Sequence, residues 1–362
     1  MGKKNKNIYH QITAFENLWK AARKARRGKR YKNEVLDFEY NLEKNLFQIK
    51  QQLEEENYIF GNYYHFTIIE PKEREIYAAP YRDRVVHHAL CNVIEPILDK
   101  AMIYDTYACR IDKGTHKALD RAHKFLRTNN WVLKMDIKKY FFTIDHNILL
   151  ADIHKKIRDE KVMNLISKIL DTYKSGSEYY FSFPEDDLFD YGRYRGLPIG
   201  NLTSQLLANY FLNKLDRFIK EKLNFKHYIR YMDDFLIFSK DKVRLKHAFE
   251  KILTFCNSKR MKLHDKKCQL FPAKNGVKFL GFHLYKNRRR ILRENIKRFK
   301  KRFKKRCGEY SNGELAWENL LMSLNGWLGY AGNKNNKKII NRILRNIEFS
   351  HPEKDIKANF IC

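Results

Sequence analysis

Tyr228-Ile-Arg-Tyr-Met-Asp-Asp-Phe-Leu-Ile-Phe238 places two adjacent carboxylates between two apolar, aromatic-rich runs. Such runs read as short strands, so Asp233 and Asp234 are expected at the tip of a hairpin. Like charges side by side repel, and no Lys or Arg lies between Tyr231 and Phe238 to neutralise them locally. A hard divalent cation is one way to hold such a pair ionised, because it takes carboxylate and phosphate oxygens together. Taken alone, the segment is equally compatible with a polar turn, since turns are rich in Asp for local hydrogen-bonding reasons.

The 362 residues suffice for a substantial core and two or three subdomains. With 43% hydrophobic and 14% aromatic residues, general disorder is disfavoured. Against 42 acidic residues stand 73 Lys and Arg, a net charge of +31, which points to a polyanionic partner, nucleic acid before membrane. The six cysteines show neither CxxC nor Cys/His spacing, so no zinc site or disulfide framework is expected. No secretory signal and no apolar run of membrane-spanning length is seen, so a cytoplasmic location with reduced thiols is expected.

Upstream, residues 3–32 are densely basic, and Ile12, Phe15, Leu18 and Ala22 recur at helical spacing. That predicts one basic amphipathic helix, with Lys29 and Arg30 among its nucleic-acid contacts. A second helix is expected over 36–55. Tyr63–Ile69 and Glu75–Ala79 read as paired strands whose turn projects Lys72 and Arg74. Asp83 is expected to cap the next helix and Pro96 to kink or break it, while the neighbouring His87 and His88 read as packing or surface residues. In Trp131-Val-Leu-Lys-Met-Asp-Ile137 the residues alternate, which puts Val132, Lys134 and Asp136 on one face and Leu133, Met135 and Ile137 on the other. Asp136 thus closes a strand just ahead of Tyr140 and Phe141. Residues 182–195, with Glu185-Asp186-Asp187, read as an acidic loop or insertion without an evident role.

Gly196-Leu-Pro-Ile-Gly-Asn-Leu-Thr-Ser-Gln205 is a glycine-bounded turn entering a helix striped by Leu207, Phe211, Leu215, Phe218 and Leu223. Its glycines allow close approach of backbone to a ligand, and the helix start offers amides to an anion. The spacing is not that of a P-loop or a dinucleotide fingerprint. Downstream come a helix over 242–260, a strand or tight turn at Phe279-Leu-Gly-Phe282, and a helix over 291–306. Residues 286–306 hold thirteen Lys and Arg against one acid, Glu294. Ile296, Phe299 and Phe303 keep one side of that helix apolar, and Arg298, Lys301 and Lys305 are candidates to follow a nucleic-acid backbone. Two more helices, near 314–330 and 337–347, are expected to complete a small bundle.

Ordered as Asp136, glycine turn, Asp233-Asp234 and basic helical segment, the chain resembles reverse transcriptases, which pair an xxDxxxxF element with a Tyr-x-Asp-Asp hairpin. That resemblance implies an α+β right-hand polymerase with fingers, a ferredoxin-like antiparallel palm and a helical thumb. The corresponding ranges are a basic helical extension over 1–60, fingers over 61–130, palm over 131–284, thumb over 285–350 and a tail over 351–362. It implies two Mg²⁺ ions, replaceable by Mn²⁺, on Asp136, Asp233, Asp234 and the backbone carbonyl of Ile137. Lys267 matches the lysine that protonates pyrophosphate, Phe141 the gate against a ribose 2′-hydroxyl, and Phe279–Phe282 the primer grip. Lys72, Arg74, Ile199, Gly200 and Gln205 fall where the nascent base pair and dNTP are contacted.

Ile199-Gly-Asn-Leu-Thr-Ser-Gln205 has the form typical of reverse transcriptases of diversity-generating retroelements, which copy a template RNA with frequent errors at adenine. Pro71-Lys-x-Arg74, Asp83-Arg-Val-Val-His-His-Ala-Leu-Cys91 and Tyr107-Ala-Cys-Arg-x-Asp-Lys-Gly-Thr-His116 look like the same family, and the likeness runs to about Gly332. Partners implied are template RNA, primer or cDNA, dNTPs and a pentameric basic accessory protein. Elements typical of retron and mobile-intron enzymes are not seen, while an antiviral-defence reverse transcriptase of similar palm stays open. An RNA-dependent RNA polymerase is disfavoured by Phe141, and a catalytically idle RNA-binding protein by the intact carboxylates.

Overall fold

A computed structural model of the chain describes residues 5–69, 72–187, 189–332 and 336–345. It divides into two compact units, the first comprising 1–118, 133–237 and 242–270 and the second 119–132, 238–241 and 271–362.

The first unit opens with α1 (Tyr9–Thr13) and α2 (Phe15–Ala25), two helices where the periodicity predicted one. Ala14 adopts extended angles and breaks the run, but Ile12, Leu18 and Ala22 are all fully buried. Lys20, Arg23 and Lys24 are left outside. In the same way α3 (Asn33–Tyr40) and α4 (Leu42–Glu54) replace one expected helix, interrupted at Asn41. An apolar stripe persists across each break because both pieces face one core, so spacing alone does not reveal the break. The antiparallel hairpin of β1 (Tyr64–Ile68) and β2 (Arg74–Ala78) follows, with Phe66 opposite Ile76. Glu70 and Pro71, expected in its turn, lie outside the described residues.

In α5 (Tyr81–Ala101) the expected cap is not formed and the helix is not broken. Pro80, not Asp83, holds the N-cap position, and the helix runs unbroken through Pro96. The Asp83 carboxylate instead accepts from the Tyr58 hydroxyl (2.7 Å) and the Gly61 amide (2.8 Å). An interior proline costs about 3 kcal/mol, yet Val85, Val86, Ala89, Leu90, Ile94 and Leu98 are at most 1% exposed, and their burial outweighs it.

The chain continues through α6 (Thr115–Thr128), β3 (Trp131–Asp136), α7 (Tyr140–Thr143), α8 (His146–His154) and α9 (Glu160–Asp171). Next come α10 (Leu202–Phe211), α11 (Asn213–Arg217) and a π turn over Phe218–Lys222, so the long helix after the glycine turn is segmented. The strands β4 (Tyr228–Tyr231) and β5 (Asp234–Ser239), then α12 (Lys242–Asn257) and β6 (Gln269–Pro272), complete a four-stranded sheet of order β4-β5-β3-β6.

The second unit holds a three-stranded meander, β7 (Val277–Phe279), β8 (Phe282–Leu284) and β9 (Arg289–Ile291). Leu280 and Gly281 turn between β7 and β8 with φ of 47° and 82°, the left-handed pair that a two-residue hairpin favours. A Cβ on Gly281 would lie 1.9 Å from the Tyr330 hydroxyl, so this position demands glycine. α13 (Arg293–Ser311), about 28 Å long, packs on α14 (Trp317–Ala331) by stacking Phe299 on Trp327 at 3.9 Å, and α15 (Lys337–Leu344) follows. Among the described residues no helix is long and apolar enough to cross a membrane.

Candidate active site

Because β3 lies beside β5 in the sheet, the end of one strand meets the start of the other. Asp136 closes β3, Asp234 opens β5, and Met232-Asp233 form the two-residue turn that joins β4 to β5. Met232 sits at φ 55°, a conformation that costs a non-glycine residue about 1–2 kcal/mol.

What holds that turn is Arg230, which the sequence did not single out. Arg230 and Asp216 are both 0% exposed. The guanidinium gives Nε to Asp216 Oδ1 and Nη2 to Asp216 Oδ2, each at 2.7 Å, Nη1 to Asn209 Oδ1 (2.9 Å), and Nη2 to the Asn209 carbonyl (3.0 Å). Its remaining donor, on Nη1, reaches the Met232 carbonyl at 3.0 Å. All five donors of the fork are thereby used, and Tyr228 adds a hydroxyl to Asp216 at 2.6 Å. A fully apolar strand apart from one arginine, Tyr-Ile-Arg-Tyr, is the signal that could have flagged it.

The carboxylates at the tip are served less fully. Lys134, on the polar face of β3, lies 3.3 Å from Asp234 Oδ2, and Lys267 lies 2.7 Å from Asp136 Oδ1. Asp234 Oδ1 is buried with no hydrogen-bond partner. Burial, and then the Asp136 charge, push Asp233 above the usual carboxylate range. Burial lifts Asp234 to about 6 against the opposing pull of Lys134. The neutralising cations missing from the local sequence thus come from a neighbouring strand and from the segment after α12.

That segment also fixes the backbone of Asp136. His264 donates its amide to the Asp136 carbonyl (2.8 Å), and Lys138 donates to the Lys262 carbonyl (2.7 Å), so that Ile137 faces Leu263. Neither of these two bonds uses the Ile137 carbonyl.

The glycine turn is strapped to the hairpin of the first unit. Tyr77 donates its amide to the Ile199 carbonyl (2.8 Å), while the Asn201 side chain accepts from Ala79 (3.1 Å) and donates to the Tyr77 carbonyl (2.9 Å). Asn201 is 3% exposed, and its side chain does not cap α10. Gly200, at φ 125°, passes so close to Ile76 that a Cβ would meet its methyl at 3.0 Å. Phe141 accepts at its carbonyl from Leu197 (2.7 Å), and Gln205 accepts from the Cys109 thiol (3.6 Å). Arg74 is exposed, yet its charge reaches Asp233; Lys72 is exposed beside it.

Arg30 is exposed, but Lys29 is half-buried, and burial followed by the Arg84 charge lowers its pKa. Arg298, with Arg302, Arg306 and Trp327, lines a cleft of ≈500 Å³ between α13 and α14. Lys301 is exposed, and Lys305 pairs with Glu309 at 3.5 Å.

Residues 70–284, which contain the whole carboxylate site, match the protein family described as "Reverse transcriptase (RNA-dependent DNA polymerase)". The chain belongs to that family. Among curated relatives, the chain is 26% identical over 255 residues to Protein YkfC of Escherichia coli, covering 58% of this chain and 62% of that protein. It is 29% identical over 149 residues to the group II intron-encoded protein LtrA of Lactococcus lactis, covering 41% and 23%. A solved structure of apo telomerase from Candida tropicalis aligns with a TM-score of 0.50 at 12% identity, covering 78% of this chain and 58% of that one, which is a likeness of fold. The chain spans less than two thirds of each of these proteins.

Among the described residues no group of three or more His, Cys, Asp and Glu is gathered closely enough to enclose a metal ion. The donor chemistry nevertheless fits a hard divalent cation: three carboxylates, two with raised pKa values, and one orphaned buried oxygen.

Proposed function

We propose that this chain copies a template RNA into cDNA by nucleotidyl transfer at Asp136, Asp233 and Asp234. The observation that carries the proposal is the meeting of β3 and β5, which sets Asp136, Asp233 and Asp234 at one end of the sheet with Lys134 and, from the segment after α12, Lys267 against them, and leaves Asp234 Oδ1 unpaired. In this reading residues 61–130 form fingers, 131–284 a palm and 285–350 a thumb.

Two Mg²⁺ ions held by Asp136, Asp233, Asp234 and the Ile137 carbonyl would supply the charge that acidifies a primer 3′-hydroxyl and clamps the transferring phosphate. The rest falls to the chain's own groups. Lys267, now holding a proton against Asp136, is placed to give it to departing pyrophosphate. Arg74 and Lys72 take the triphosphate, and Phe141 blocks a ribose 2′-hydroxyl. Ile199, an aliphatic residue beside the nascent pair, cannot hydrogen-bond a base, so pairing geometry is checked less there. This supports the finer proposal of a diversity-generating retroelement enzyme, error-prone at template adenine, working with a pentameric basic accessory protein.

The deciding test is dNTP incorporation on an RNA template, dependent on Mg²⁺ and lost in Asp233→Ala; incorporation that survives the substitution sinks the assignment. Ile199→Gln is expected to raise fidelity at template adenine, read by sequencing the extended primers.

A further inference from the structure

The acidic loop between α9 and the glycine turn, which the function above leaves without a role, is held by Lys174 and Ser175 at the Gly192 and Arg195 carbonyls and, from past the end of α12, by one side chain that gathers its carboxylates. Arg260, just past the end of α12, spends each of its three nitrogens on a different carboxylate: Nη1 on Asp145 (3.0 Å), Nε on Asp186 (3.1 Å) and Nη2 on Asp190. Arg193 lies across the same group, 3.1 Å from Asp186 and 3.4 Å from Asp145. The Asp145 and Asp186 side chains are 1% and 3% exposed. Asp145 also caps α8 by accepting from Ile148 (3.1 Å).

Both ends of this tie run into the proposed site. On one side, residues 262 and 264 hold the backbone at 136–138. On the other, the loop leads into a strap, Tyr194–Gly200, that pairs with 141–146. His146 donates to Tyr194, Gly196 to Ile144 (2.8 Å) and Leu197 to Phe141 (2.7 Å), and Asp145 faces Arg195 across the bridge. The strap ends in Ile199, held by Tyr77. Phe141 and Ile199, the proposed selectors of sugar and base, are therefore fixed to one short segment whose upstream anchors are the Arg260 group and Ser175, which donates its amide (3.0 Å) and hydroxyl (3.1 Å) to the Arg195 carbonyl.

Buried ion pairs are on average no more stabilising than apolar residues of the same volume, whereas each imposes a definite geometry. A loop needing only attachment would be served by apolar contacts. Three carboxylates on one planar fork instead fix the position and orientation of the loop. We propose that Arg260, with Asp145, Asp186, Asp190 and Arg193, is a positioning group that sets where Phe141 and Ile199 stand and so determines nucleotide discrimination. This rests on the polymerase assignment above.

The test compares wild type with Arg260→Met and with the milder Asp190→Asn, which removes one arm only. Two readouts are taken: the ratio of kcat/KM for dNTP over rNTP on an RNA template, and amide hydrogen exchange at Gly196 and Leu197. Arg260→Met should lower the ratio about tenfold, within the ~100-fold that a 1 Å misplacement can bring, and speed exchange at both amides. Asp190→Asn should do the same more weakly. A role confined to stability would slow dNTP and rNTP use alike and leave the ratio unchanged. An unchanged ratio in active variants overturns the inference, whatever exchange shows, and leaves the polymerase assignment intact. If wild type incorporates no dNTP, that assignment falls, and with it the selection of nucleotides proposed here; unaltered exchange at Gly196 and Leu197 would then reject the tie as well.

Discussion

Arg230 and Asp233 stand three residues apart on one hairpin, and their surroundings are opposite. At Arg230 every donor has an acceptor, and the partner Asp216 is fully enclosed. At the tip, three carboxylates share two lysines, and one buried oxygen has nothing. The first arrangement is complete as it stands. The second is short of positive charge, which is what a site that must accept cations and phosphates requires. The saturated pair also supports the unsaturated one, since Arg230 grips the carbonyl of the strained Met232 from which Asp233 projects.

The comparison can be broken most severely at the tip. Asp233→Ala should reduce incorporation by at least about 10²–10³-fold, the loss that follows removal of one preorganised electrostatic group, while melting near or above the wild-type temperature, because a repelled carboxylate is gone. A melting temperature lowered by many degrees would show that Asp233 is a stabilising residue. Arg230→Met should do the reverse, destabilising the fold by about 3–5 kcal/mol in denaturant titration because Asp216 is left buried and uncompensated. The double variant Arg230→Met/Asp216→Leu should recover most of that loss, and no recovery would mean that the pair is not the unit described.

A smaller effect separates the two regions by pH. With its folded pKa raised to about 6 from 3.8, Asp234 favours the fold when protonated. Its contribution is therefore present below pH 4, is lost as pH rises through 6, and amounts to on the order of 1–3 kcal/mol. Asp234→Asn should flatten that part of the stability profile; an unchanged slope would place the titrating group elsewhere. Smaller again, millimolar Mg²⁺ should raise the wild-type melting temperature at pH 7 by a few degrees, about 1 kcal/mol of linkage. It should do nothing for Asp233→Asn/Asp234→Asn, and equal shifts in both proteins would remove the cation site from the carboxylates.

Much of the site was legible because its parts carry local signatures. Alternation put Lys134 and Asp136 on one face of β3, and aromatic runs marked β4 and β5. The failures share one cause. Asp83 was read as a cap because capping is a local habit, but Tyr58 and Gly61 claim its carboxylate from 25 and 22 residues away. Pro96 was read as a kink or break because proline removes a donor, but α5 continues through it with Ile94 and Leu98 buried on its inner face. The first two helical runs each broke at a residue whose angles no spacing encodes.

By itself, the sequence determined the residue types that the proposed chemistry needs, the strands that bear them and the strongly basic charge of the chain, since all three follow from composition and short-range periodicity. Only the tertiary structure decided which cation faces which carboxylate: Lys134 across the sheet, Lys267 over a separation of 131 residues, and Arg260 on an acidic loop 70 and 74 residues upstream. Electrostatic partners are chosen by distance in space, and in a chain of +31 the sequence offers far more candidate lysines and arginines than the site can hold.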